Sequence, residues 1–241
     1  DRAKVVWCSY VPCPPDKKLE EHHDREKGAR GQTHAADGSG YVSRTQACGT
    51  RLCVSGPYTA RVQMAFKEWA IVVEALGRGE QIVILRKGGI SEGVGGFRAE
   101  YERFWLFPTQ FHQQAKGVVP ASAEIFSEMI KPAEGIAPIQ FACEVVEARE
   151  LDSLEQAQCL QGQHIWREEI VAERFDWGRD QGIYAMAVRV RGLDEAVELP
   201  LLEGYGGCRS WIELEPEMDF VDTLPVLSDD VFAEKLAAFQ E

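Results

Sequence analysis

The stretch Ile139-Gln-Phe-Ala-Cys-Glu-Val145 decides the class of fold. Ile139, Phe141, Cys143 and Val145 alternate with Gln140, Ala142 and Glu144, the period-two pattern of a strand with one face buried. Just downstream, Asp152 followed three residues later by Glu155 is a capping-box pattern that predicts a short helix through Leu160. Trp166, Ile170, Val171 and Phe175 then recur at helical spacing. Tyr184, Met186, Val188 and Val190 alternate with Ala185, Ala187, Arg189 and Arg191, which returns the chain to a strand with one wet face. Strand, two helices and strand, without regular βαβ alternation, predict an α+β domain.

Outward from this centre the same reasoning continues. Phe66 to Leu76 reads as a strand, Gly77-Arg78-Gly79 as a turn and Gln81 to Leu85 as a return strand, together a hairpin. Gly88 to Gly96 is a glycine-rich loop. Phe104-Trp-Leu-Phe107 is a third strand, stopped by Pro108, which cannot donate to a ladder. Ser122 is placed to cap a helix whose Ile125, Phe126, Met129 and Ile130 share a face, closed by Pro132. Val197 to Leu199 and Trp211 to Leu214 are shorter strands around a glycine-rich turn. Ser228 caps a last helix, with Asp229 and Asp230 at its positive end and Phe232, Leu236 and Phe239 facing inward. The expected sheet is mixed or antiparallel with flanking helices, and a barrel-like closure of the PUA type is its analogue among known layouts.

Charge divides the chain at Met64. Residues 1–63 carry 10 Lys/Arg against 7 Asp/Glu and the remainder 16 against 32, so the total of −13 separates into +3 and −16. The first part, with a Pro12 to Pro15 cluster, a charged run from Asp16 to Lys27 and glycines from Gly28 to Gly40, is expected to be a poorly ordered leader, an over-extended reading of the gene with translation starting at Met64. Its Cys8, Cys13, Cys48 and Cys53, with His22, His23 and His34 between them, offer soft ligands, but the C-x4-C spacing departs from the usual C-x2-C of structural zinc. No metal site is assigned. Residues 64–241 are expected to form a single α+β domain.

An acidic domain repels phosphate backbones, so any nucleic-acid role must rest on a local basic site. No apolar run approaches the roughly 20 residues of a membrane span, and a soluble cytoplasmic protein is expected. Cys143, Cys159 and Cys208 suit reduced thiols, the first two as small buried hydrophobes.

Four strings carry a family resemblance: Phe66-Lys-Glu-Trp69, Leu85-Arg-Lys-Gly-Gly-Ile90, Phe104-Trp-Leu-Phe-Pro-Thr109 with His112-Gln113, and Tyr205-Gly-Gly-Cys-Arg-Ser-Trp211. In this order they resemble the bacterial family catalogued as domain of unknown function 1802, over about Met64 to Leu214. The resemblance brings no established activity. Some members of that family are joined to a restriction-endonuclease domain of the Mrr type, which implies by association a link to DNA restriction and modification and a restriction-system protein as partner.

The candidate chemistry gathers on few residues. Arg86 and Lys87 stand at a strand end entering the glycine-rich loop, where bare amides and two cations suit an anion, although no P-loop pattern is present and no cofactor is assigned. The segment Phe104 to Thr109, with Trp105 and Thr109, offers aromatic surface ending in polar groups for a nucleotide or modified base. His112, Cys208 and Arg209 supply an imidazole, a thiol between glycines and an arginine, and a further cation. His164 reads as structural, near Trp166 at a helix start. From Met64 onward no [DE]-x-K occurs, against a restriction-type nuclease. Arg167-Glu168-Glu169 with Glu173 is a poor, misplaced substitute for a Nudix signature. The expected function is a noncatalytic nucleotide- or modified-base-recognition module. A small-molecule hydrolase using Cys208 and His112, or an acidic protein-interaction subunit, are the alternatives.

Overall fold

The computed structural model describes residues 61–87, 99–109, 114–129, 131–177, 181–207 and 209–241. Residues 1–60 with the leader's cysteines, the glycine-rich loop, His112 and Cys208 lie outside the described residues.

The first strand, β1 (Arg61–Trp69), begins three residues before Met64 and pairs Arg61 with Asp219, so residues 61–63 belong to the sheet. Here the expected hairpin is corrected. β1 stops at Trp69 and the chain turns into helix α1 (Ala70–Gly77), before strand β2 (Val83–Arg86). Ala70, Ile71, Val72, Val73, Ala75 and Leu76 are all buried. An apolar run without alternation fits either a buried strand or a buried helix, and packing selects the helix. A Cβ on Gly77 would run into the Phe141 ring, and Gly79 at φ 71° takes the left-handed turn after it.

Strand β3 (Arg103–Thr109) runs parallel to β1 and through Pro108, which sits opposite Glu68. Pro108 does not stop the strand, because the pairing with the following strand covers only Arg103 to Trp105. Short helix α2 (Gln114–Gly117) and helix α3 (Pro120–Glu128) follow. Proline opens α3 and Ser122 lies buried within it, not at the cap position that the sequence suggested.

Strand β4 (Ile136–Leu151) pairs antiparallel along its length with β5 (Ile183–Pro200), which joins the two separate strands expected at Tyr184 and Val197. Between them lie helices α4 (Leu154–Cys159) and α5 (Glu168–Asp176). The α4 cap is Ser153, whose side chain accepts from the Gln156 amide at 3.3 Å, while the Gln156 side chain accepts from the Asp152 amide at 3.1 Å. The capping device is real, one residue along from the pattern that suggested it. Cys143 is buried, and burial pushes its thiol up. Cys159 is exposed, a correction to its expected burial. After a 3-10 turn (Glu203–Tyr205) come β6 (Trp211–Asp219), β7 (Leu224–Pro225) and helix α6 (Asp229–Gln240), capped by Ser228 as expected.

The sheet order is β2-β5-β4-β3-β1-β6, with β7 added beside β5. β1 with β3 is a parallel pair, and the other pairs are antiparallel. Both faces are covered. Phe104 and Leu106 enter one core with α1 and α5, while Trp105 and Phe107 enter a second with Ile139, Ile212 and Leu214. A two-sided apolar strand gives a continuous hydrophobic run, which is why residues 104–107 show no alternation. A register shift between Ile139 and Phe141 sends these two residues to different cores, against the single face expected for them.

The sheet is not closed into a barrel, which corrects that part of the sequence reading. It is curled: Arg86, at the end of edge strand β2, reaches Ser210 at the entry to the opposite edge strand β6. Side chains, with no pairing between β2 and β6, bridge the two edges.

Candidate functional site

The last residues of β1 put charge where the sheet is most buried. Phe66-Lys67-Glu68-Trp69 continues the alternation of the strand, so Phe66 and Glu68 face the first core and Lys67 the second. Lys67 is 5% exposed and Glu68 2%. Ionised groups this deep are costly unless bonded. Lys67 Nζ donates to the carbonyls of Tyr205 at 2.9 Å and Gly207 at 2.8 Å, tying β1 to the turn before β6. Glu68 Oε1 accepts from the Trp69 amide at 2.7 Å.

Two guanidiniums act on Glu68. Arg86 comes from β2, donating through Nε and Nη2 to Ser210 Oγ at 3.0 and 2.8 Å, with its Cζ 5.3 Å from the centre of the Phe66 ring. Arg174 comes from α5, donating to the Leu85 carbonyl at 3.1 Å and lying 3.9 Å above the Trp166 ring. Burial pushes the Glu68 carboxyl up from its ordinary range, and the charges of Arg86 and Arg174 oppose that shift, as does the Trp69 amide. For Arg174 burial lowers the pKa, Glu68 opposes and Arg86 adds to the lowering. An arginine stays protonated in a protein, and Glu68 is the acidic group whose charge favours Arg174 here while Arg86 disfavours it.

Aromatic surface flanks the cluster. Trp69 meets Trp166 edge-on at 4.8 Å. On the Arg86 side, half-buried Trp211 packs on Phe66 at 4.9 Å, Phe104 at 5.0 Å and half-buried Tyr101 at 5.1 Å. The seam thus combines an oriented guanidinium, a buried carboxylate and partly accessible rings, a combination able to hold a planar, anionic ligand by charge-assisted hydrogen bonds and stacking.

Of the residues singled out in the sequence, Arg86 is central. Thr109 joins it indirectly, donating to the Glu68 carbonyl at 2.9 Å. Lys87 lies at the same strand end with Nζ on the carbonyls of Phe175 at 3.1 Å and Gly182 at 2.7 Å. Arg209 is exposed beside Ser210 and donates to the Gly204 carbonyl at 2.9 Å. Trp105 is fully buried in the second core, its indole donating to the Val62 carbonyl at 2.9 Å, so it forms no part of this seam. His112 and Cys208 lie outside the described residues. His164 is structural as expected: buried, it accepts the Trp166 amide at 3.2 Å through Nδ1. Burial and then the Arg174 charge lower its pKa to about 4. Among the described residues no cluster of three metal-ligating side chains is present.

Sequence reasoning missed Lys67, Glu68, Arg174 and Ser210. Two signals were available. Lys67-Glu68 interrupts a run that is apolar on both sides, and Arg174 occupies the inward stripe of α5 between Val171 and Phe175. A charge on a face that must be buried demands a partner.

The model of a family described as domain of unknown function 1802 matches residues 65–238. No curated protein matches the chain. Among solved structures, the chain is similar to ASCH from Zymomonas mobilis at 10% identity and a TM-score of 0.38, covering 73% of this chain and 93% of that one. Two single-substitution variants of the same protein match at 12% and 11% identity, TM-scores 0.38 and 0.39, covering 73% and 74% of this chain and 96% of each.

Proposed function

We propose that this chain, which belongs to the domain of unknown function 1802 family, is a noncatalytic recognition module for a nucleotide or a modified base. The observation that carries this reading is Arg86, fixed by two bonds to Ser210 across the seam between sheet edges, beside the half-buried rings of Tyr101 and Trp211. Its guanidinium and Lys87 contact the phosphate, Arg209 approaches from the β6 side, and a base stacks on the aromatic step. A charge-assisted hydrogen bond contributes about 1.5–3 kcal/mol and a stacked base about 1–3 kcal/mol, together weak binding that reaches roughly tens of micromolar at the upper end.

The module works in the cytoplasm beside a DNA restriction or modification system, a role supported only by the family resemblance. The test is titration of the Arg86→Ala, Lys87→Ala double variant with nucleoside monophosphates and short modified oligonucleotides. Loss of at least tenfold in affinity is expected, with Trp105→Phe binding as the parent does. Equal affinity of the double variant and the parent would place the ligand elsewhere.

A further inference from the structure

We infer that the seam takes a single free mononucleotide and turns away a continuous polynucleotide, an inference that rests on the nucleotide-recognition reading. The argument is one of charge around a small site. The aromatic step of Tyr101 and Trp211 is bordered by exposed carboxylates: Glu100 and Glu102 flank Tyr101 in the chain. Glu213 and Glu215 follow Trp211 on the same face of β6 by the two-residue alternation of a strand. On the β5 side, Tyr184 lies opposite both Arg86 and Glu150, and Glu150 is exposed.

In this reading one phosphate sits on Arg86 and Lys87. A second or third phosphate, continuing along β6 or past Tyr101, runs into these carboxylates. Polynucleotide binding gains its strength from many phosphates displacing counterions, and a chain of net charge −13 with this arrangement withholds that gain. The ligand is therefore recognised by its one phosphate and by its base, and a strand adds repulsion.

Calorimetry on the full chain tests this, with the four nucleoside monophosphates, a single-stranded decamer and a ten-base-pair duplex titrated from 50 to 300 mM salt. The monophosphate that binds best is expected to bind at least as tightly as either polymer. For either polymer the slope of log K against log salt is expected no steeper than about −1, as for about one phosphate contact. A decamer at least tenfold tighter than every monophosphate, with a slope steeper than −3, would overturn the inference and leave the nucleotide reading standing. Failure of all these probes to bind would remove both. The triple variant Glu100→Gln, Glu102→Gln, Glu213→Gln changes only exposed side chains. It is expected to raise decamer affinity at least threefold and leave monophosphate binding unchanged, and an unchanged decamer affinity would count against exclusion by these carboxylates.

Discussion

The two cores on either side of the sheet solve the same burial problem with different chemistry. Around Trp105 the second core is filled by Ala65, Phe107, Ile139, Ile212 and Leu214, and its buried polar groups are bonded to backbone carbonyls, the Trp105 indole to Val62 and the Lys67 ammonium to Tyr205 and Gly207. The first core holds more apolar groups but ends, where β2 approaches β6, near Glu68, Arg86 and Arg174. Packing alone would favour an apolar seam, since a buried ion cluster is often no more stable than hydrophobic side chains of the same volume. Stability alone therefore gives no reason for charge at that position.

The contrast is sharpened most by Glu68→Ala, which removes the buried acidic group that interacts electrostatically with Arg86 and Arg174. We expect a loss of about 3–5 kcal/mol in urea unfolding. A loss below about 1 kcal/mol would mean that the arginines do not depend on Glu68.

His164 gives the next effect, and its sign differs from that of Glu68. Its pKa falls from 6.5 to about 4 on folding, so the unfolded chain binds the proton first. The contribution to stability is complete above pH 6.5 and is lost as the pH falls through 4, about 3 kcal/mol in all at about 1.4 kcal/mol per unit. For Glu68, whose pKa is raised from 4.5, the contribution is complete below that value and is lost as the pH rises through the folded value. Unfolding curves of His164→Gln between pH 7 and 4 are expected to show less acid destabilisation than the parent. The same slope in both would exclude this imidazole as the source.

On the apolar side, Trp105→Phe removes ring volume and orphans the Val62 carbonyl, for an expected loss of roughly 1–3 kcal/mol with ligand affinity intact. A change in affinity there would break the separation of the two cores. The smallest effect belongs to Arg78, whose ion pairs with Glu74 and Glu128 lie at the surface. Arg78→Ala should change unfolding by less than about 1 kcal/mol, and by less still at high salt.

Much of the fold was legible. The alternation at Tyr184 to Val190, the Ser228 cap with its inward Phe232 and Phe239, and the strand at Phe104 to Phe107 all appear where the pattern put them. Of the site residues expected from the sequence, Arg86, Lys87, Thr109 and Arg209 lie at or beside the seam between the sheet edges. Trp105 looked similar in sequence, yet one step along an alternating strand places a side chain in the other core.

The residue pattern by itself determined the strands at Phe104 to Phe107, Ile139 to Val145 and Tyr184 to Val190, the cap that starts α6 and that the class is α+β, because periodicity and caps record each segment's local exposure and backbone needs. Tertiary structure decided that Ala70–Gly77 is helical, that β5 is one strand, and that Arg86 meets Ser210 within reach of the charges of Glu68 and Arg174. Their meeting depends on the curl of a sheet whose edge strands are far apart in pairing order. No local pattern encodes it, since each residue's neighbours in sequence are the same whichever edge it finally faces.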